Sequence, residues 1–306
     1  MLYSSNSSIS IGSGASRKSG ATHIPIFKSS TMRKRLFMLW PILLLLGTAG
    51  CSITHVVRTE NGERINIERM IAEVSNSPLI FVGEYHDDMA QHDLQLDVIK
   101  GIHRAGKRQA IGIEMFETSS QPALDAWIAG RIPEEKFIGV YYANWRNLSW
   151  ALYQDIFIFA RDNGIPMIGL NVPRQTIEKV ARGGFSALSG AELRMLPPGA
   201  TAPISDGFIR LMATYYPSHG KSGDAFRHLC EAQALRNRVM ADAIGRYLKQ
   251  HPGSSMVVLT GGGHAWGKGG IPAELKGLPH KIILPPFPGI DIDNPGLDSG
   301  ADYLMD

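Results

Sequence analysis

Five short apolar runs constrain the fold more than any other feature of the chain: residues 78–83, 109–114, 165–171, 255–260 and 281–284. Each is continuous rather than alternating, the pattern of strands covered on both faces. Stretches with helical spacing lie between them. Residues 89–104 are predicted as a helix capped by Asp87 or Asp88 and stopped at Gly106, and residues 150–161 as a second, ending at Asn163-Gly164. Strand, helix, strand in this order predicts an α/β fold in three layers, a mostly parallel sheet flanked by helices. Residues 174–246 show only helical pattern, broken by Gly183-Gly184 and Pro197-Pro198-Gly199, and are expected as a helical insertion over one sheet edge. The main domain is expected over 76–290, after a polar tether at 51–75 and before a surface tail at 291–306.

Charge narrows the partners. Of 31 Lys and Arg, six fall in residues 1–50, which hold no Asp or Glu; the remainder carries 25 basic against 28 acidic residues. No basic domain is left to grip phosphates, so nucleic acid is not an expected partner. The leading segment has the organisation of a targeting signal instead. Met32-Arg33-Lys34-Arg35 is a positive start, residues 36–47 are a short apolar run, and Thr48-Ala49-Gly50-Cys51 ends in cysteine. This resembles a bacterial lipoprotein signal, which implies lipidation of Cys51 and, with Ser52 following, an outer-membrane anchor in a Gram-negative cell envelope. Residues 1–31 are expected to be an upstream extension, with Met32 the better start. With Cys51 consumed, Cys230 is the one remaining cysteine, placed on an apolar helical face as a buried structural thiol.

Each predicted strand delivers polar groups at its C-terminal end: Glu84-Tyr85-His86, Glu114, Asn171 to Arg174, and Gly261-Gly262-Gly263-His264. That edge of a parallel sheet is where ligands bind. Glu84, His86 and His264 are expected to share a site, with His92 and Glu114 as further members. The set suits acid-base chemistry or a divalent metal held by His86, His92, Glu114 and His264. In a hydrolase, Glu84 is expected as general base on water, while His86 and His264 hold the metal or shuttle protons. The glycine run before Lys268 lacks the Ser or Thr of a phosphate loop, because Gly269 occupies that position.

The same residues carry a family resemblance. Phe81-Val82-Gly83-Glu84-Tyr85-His86 with His92, Ile113-Glu114-Met115-Phe116, Asn171 to Arg174, Cys230 to Arg236, and Gly261 to Ala265 resemble the ChaN-like haem-binding lipoproteins. The likeness spans about residues 76–285. A wider group with Tiki, TraB and erythromycin-esterase-like proteins shares the paired Gly-x-x-His motifs, here ending at His86 and His264. The resemblance implies haem as cofactor and cargo, bound between two subunits through an axial tyrosine. It further implies a homodimer, a membrane anchor and an outer-membrane haem receptor as partners. Haem needs an apolar wall, an axial donor and cations for its propionates. Tyr141 and Tyr142, expected in an aromatic loop, and Tyr215, Tyr216, His219 and Lys221, expected in a flexible insert, are the candidate haem-binding residues; four tyrosines remain open as ligand. Trp150, Tyr153 and Phe157 recur at helical spacing and are expected in the core.

Overall fold

A computed structural model describes residues 52–215, 223–286 and 300–306. The five apolar runs form β3 (Leu79–Glu84), β4 (Gln109–Glu117), β5 (Met167–Asn171), β6 (Ser255–Gly261) and β7 (Lys281–Leu284). With β1 (His55–Arg58), β2 (Arg64–Asn66) and β8 (Tyr303–Met305) they make one eight-stranded sheet in the order β2-β1-β8-β7-β3-β6-β4-β5. The block from β8 to β5 is parallel, and β1 pairs antiparallel with both β2 and β8.

Side-chain parity divides the core. Ile80 and Val82 of β3, Ile111 and Ile113 of β4, and Val257 and Leu259 of β6 face one cluster. That cluster is covered by α1 (Ile67–Val74), α2 (Met89–Arg104), α3 (Gln121–Ile128), α4 (Glu134–Asn144) and α5 (Gln154–Asp162). Leu79, Phe81, Ala110, Met256 and Val258 face the opposite cluster, together with Met240, Ala241 and Ile244. The alternation follows from the period of two along a strand, so both faces of the sheet are apolar and both are covered.

Helices α6 (Arg174–Gly183), α7 (Gly190–Met195), α8 (Asp206–Tyr215) and α9 (Asp224–Gln250) fill the stretch predicted without strands. They correct the insertion reading in one respect. The C-terminal half of α9 is a layer helix, with Met240 and Ile244 fully buried on the second face, and only the preceding helices gather at its N-terminal half. Cys230 lies fully buried there, and burial pushes its thiol up to about 11, as a structural cysteine requires.

Two further expectations change. The tether contains the β1–β2 hairpin and α1, and the tail supplies β8, whose Tyr303, Leu304 and Met305 are all buried. These strands are three or four residues long, and in β2 only Ile65 is buried, too brief a signal for apolar periodicity to register. Among the described residues no helix is long and apolar enough to cross a membrane.

Candidate functional site

Neighbouring strands β3 and β6 send the chain to opposite faces. After β3 it enters α2 over the first cluster; after β6 it enters the short α10 (Gly262–Ala265), whose Ala265 belongs to the second. A crevice opens where adjacent connections diverge in this way. Two carboxylates line it from opposite faces. Glu84 keeps the parity of Ile80 and Val82, while Glu114 keeps that of Ala110. Both are almost completely buried, at 2% and 1% exposure.

Glu84 is saturated. Its Oε1 accepts from Tyr153 Oη and from His86 Nδ1 at 2.7 Å; its Oε2 accepts from Gln95 Nε2 at 2.6 Å and from His92 Nδ1 at 3.1 Å. Four donors fill the lone-pair sites of one carboxylate. Burial alone raises this carboxyl, but the bonds from His86 and His92 outweigh it and hold it at about 2. His92 has both nitrogens engaged, since Nε2 lies 3.2 Å from the His86 carbonyl oxygen. Both nitrogens face acceptors, an arrangement that favours the protonated ring. Burial opposes that charge and the Glu84 contacts overcome it, raising its pKa. His86 is raised in the same way, against its own burial, by Glu84 and Glu114.

Glu114 is held differently. Arg236 Nη2 donates to its Oε1, and the Gly261 amide donates to its Oε2 at 2.8 Å. Burial raises this carboxyl too, yet neighbouring positive charge brings it to about 2. Arg236 supplies that charge at neutral pH, because burial takes His264 down to about 4 and leaves it neutral. His264 Nδ1 donates to Asn237 Oδ1 at 2.6 Å, and Asn237 Nδ2 donates to the Gly269 carbonyl at 2.9 Å. This chain fixes the tautomer and leaves His264 Nε2 3.8 Å from Glu114 Oε1.

The first glycine of each Gly-x-x-His motif is required by the other motif. A Cβ on Gly83 would lie 3.0 Å from Gly262 Cα and 2.6 Å from Leu284 Cδ2. A Cβ on Gly261 would meet His86 Nε2 at 3.0 Å. Residues 83 and 84 pair in register with 260 and 261. The motifs are therefore two sides of one contact, and His86 lies with Nδ1 on Glu84 and Nε2 over Gly261.

Around them is a cavity of about 610 Å³. Tyr85, Leu148, Leu211, Met212, Trp266 and Pro285 form its apolar wall, and His86, Glu114, Gln233, Arg236 and His264 its polar side. Glu84, His86, Glu114 and His264 thus converge as expected, and His92 lies behind them, fully enclosed. Their expected role as a metal set is not met. His92 has no free nitrogen, and among the described residues no group of three or more His, Cys, Asp or Glu is placed to hold a metal ion. Glu84 cannot be the base, since its oxygens are already filled.

Tyr141 also departs from expectation. It lies inside α4 rather than in a loop, has no exposure, and packs against Phe116, Trp150 and Phe157, so it is core and not a haem face. Tyr142 follows it in the same helix, 40% exposed, its hydroxyl accepting from the Trp150 amide. Tyr215 ends α8; its side chain, with Tyr216, His219, Lys221 and Cys51, lies outside the described residues. Trp150 and Phe157 are core, and Tyr153 is core with a function, its hydroxyl on Glu84.

Sequence reasoning missed Tyr153, Gln95, Gln233, Arg236 and Asn237 as members of the site. The signal was a polar residue interrupting an apolar helical face. Gln95 does so beside Leu94 and Val98 in α2, and Gln233, Arg236 and Asn237 do so between Cys230 and Met240 in α9.

One solved structure shares this architecture. The solved structure reporting cofacial haem binding to ChaN of Campylobacter jejuni superposes with a TM-score of 0.63 at 17% identity, covering 82% of this chain and 95% of that one. An erythromycin esterase structure, EreC, is more distant, with a TM-score of 0.44, 11% identity and 82% coverage of each chain. Among curated proteins, RETICULATA-RELATED 5, a chloroplast protein of Arabidopsis thaliana, is 22% identical over 238 residues, 71% of this chain. The chain spans about a third of that relative, 32% of its length. The family model for haem-binding uptake proteins of the Tiki superfamily, ChaN, matches residues 70–275, from α1 through α11 (Ile271–Glu274), and the chain belongs to that family.

Proposed function

We propose that this protein binds haem in the strand-end cavity and serves haem uptake. The observation that carries the reading is the cavity: about 610 Å³, walled by apolar side chains, with a guanidinium at its polar side. That size and lining suit a large planar ligand bearing two carboxylates. When bound, haem supplies an iron centre that takes an oxygen donor. Tyr85 is the phenol that fits: it is 45% exposed, lines the cavity, and its hydroxyl donates only to the Pro286 carbonyl, at 2.9 Å. Tyr142 is exposed but lies outside the cavity lining. The lipoprotein-like signal supports anchoring through lipidated Cys51 at the outer membrane, and the family resemblance supports a pair of subunits sharing the haem.

A second reading is favoured by the Glu84–His86 pair. With Nδ1 held on an ionised carboxylate, His86 presents Nε2 to the cavity, the arrangement of an oriented general base. In that reading His86 takes a proton from water as the water oxygen attacks an ester carbonyl, and returns it to the leaving alcohol.

Titrating haem into the chain from residue 52 onward, followed by absorbance and by size on a column, tests both. Saturable Soret changes are expected, with the band shifted in Tyr85→Phe and unmoved in Tyr142→Phe, and a change to dimer on loading. Featureless, non-saturating adsorption sinks the carrier reading and leaves the second, whose mark is ester hydrolysis lost in His86→Gln.

A further inference from the structure

The chain enters the sheet at the edge where the cavity opens. β1 runs antiparallel to β8, β8 is parallel to β7 and β7 to β3, so the start of β1 lies beside the ends of the other three. The registers fix the height. Val82 pairs with Ile283, Ile283 with Tyr303, and Tyr303 with Arg58. Two residues further on, Glu84, Met305 and Val56 share one level, and Glu84 pairs there with Gly261. Glu84 and Gly261 line the cavity. His55 lies one step outward, its carbonyl accepting from the Asp306 amide at 3.2 Å. The four steps from His55 back to Cys51 span at most about 14 Å. With Ile53 packed against the first cluster, Ser52 alone separates the fold from Cys51. Sideways, β1 is three strand spacings from β3, about 14 Å.

We propose that this edge docks on the lipid bilayer that holds the anchor, with the mouth of the cavity facing lipid. The same edge carries exposed apolar side chains. Tyr85 follows β3 and Met89 opens α2, each 45% exposed. Tyr142, 40% exposed, stands two residues before Asn144, whose Oδ1 accepts from the Glu117 amide at the end of β4. These are three of the five large apolar side chains so exposed among the described residues. A phenol ring suits the boundary between headgroups and water, apolar at one end and wet at the other. A few such side chains hold lipid weakly by themselves, but an anchor within about 14 Å makes their docking intramolecular. Apolar molecules that partition into lipid then meet the cavity without crossing water. The inference rests on the anchoring reading for how the edge is held, while the strand registers alone decide which edge it is. Two subunits sharing haem cover the same edge, so docking belongs to the unloaded chain.

The test uses the full chain purified from membranes and reconstituted, without haem, in vesicles of phosphatidylethanolamine and phosphatidylglycerol that carry a spin-labelled headgroup lipid. A fluorophore is attached through Met89→Cys, through Tyr142→Cys or, at the opposite edge, through Lys107→Cys; Cys230 is fully buried and stays unlabelled. Lys107 is exposed two residues before β4, and the ten steps from it to Glu117 span about 30 Å, out of reach of a headgroup quencher. Quenching is expected at positions 89 and 142 and none at 107. Met89→Glu is expected to lower the quenching at 142 about threefold, and Lys107→Glu to leave it unchanged. Equal quenching at both edges, or quenching at 107 alone, overturns the proposal. So does quenching at none of the three, and a dimer by size in that sample means that a second copy covers the edge instead. Mass spectrometry of the same sample reads the acyl chains on Cys51. If they are present and the pattern fails, the docking falls and the anchoring stands. If they are absent, the anchoring reading fails, and the docking stands only if the chain from residue 52 onward, held on nickel-chelating lipid by an N-terminal histidine tag, gives the same pattern; any other pattern there overturns it.

Discussion

The two Gly-x-x-His motifs look alike in sequence, yet the halves of the site they build are opposite in character. Around Glu84 every oxygen is spoken for, by His86, His92, Gln95 and Tyr153, and three of those four donors are almost wholly buried. Around Glu114 one cation and one backbone amide suffice, and the same cation leaves a donor unsatisfied. The first half is a closed scaffold whose product is the orientation of His86. The second half meets the cavity. A carboxylate buried equally deeply can thus be a positioning group or part of a contact surface, and the count of its donors tells which.

The sharpest way to break this contrast is to remove the charge from the second half. Arg236→Met leaves Glu114 buried with one amide donor, and loss of about 3–5 kcal/mol of folding stability is expected from a buried charge deprived of its partner. Denaturant unfolding at neutral pH measures it. Wild-type stability in this variant means that Arg236 does not hold the Glu114 half.

Removing one donor from the first half has a smaller effect, because three remain. Tyr153→Phe deletes one hydrogen bond to a charged group, with an expected cost of about 1.5–3 kcal/mol by the same unfolding measurement. A cost larger than that of Arg236→Met reverses the comparison: Glu84 then depends on a single donor as Glu114 does.

How much of this was legible in the sequence differs between the halves. The central strands and α2 with its Asp88 cap appear directly in the apolar runs and helical spacing, because covered strands and amphipathic helices leave strong periodic signals. Glu84, His86, Glu114 and His264 were legible because strand ends are marked by where the apolar run stops. Their partners were not. Tyr153 shares its spacing with Trp150 and Phe157, and nothing local separates a tyrosine whose hydroxyl reaches a carboxylate 69 positions away from one that only packs. Arg236 reaches Glu114 across 122 positions from a helix assigned to an insertion. Tyr141 erred in the other direction: an aromatic pair resembled a loop, whereas burial against Phe116 and Trp150 makes it core. Long-range pairing, not local pattern, decides these residues.

The smallest effect, and the one that tests the contrast within a single unmodified protein, is pH dependence. The histidines ending the two motifs are expected to titrate on opposite sides of about 6.5, the ordinary imidazole value. Glu84 and Glu114 raise His86 despite its burial, and Glu84 raises His92 likewise. Burial lowers His264 to about 4, since the nearest carboxylate is 3.8 Å away and shared with Arg236. A raised pKa means that the folded chain binds more protons than the unfolded one above about 6.5, so the His86 and His92 contributions are complete below that value and are lost as pH rises through their folded values. A lowered pKa has the reverse sign, so the His264 contribution is present above about 6.5 and is lost as pH falls toward about 4. The carboxylates do not obscure this window, because their contributions fade only between about 4.5 and about 2. Folding stability is therefore expected to peak near pH 6.5, with each histidine contributing a slope no greater than about 1.4 kcal/mol per pH unit. Denaturant unfolding at pH 5, 6.5 and 8 gives the slopes, and NMR titration of the imidazole Cε1 protons assigns them. If His86 and His264 titrate on the same side of 6.5, the two halves share one electrostatic environment, and the division between closed scaffold and open contact fails.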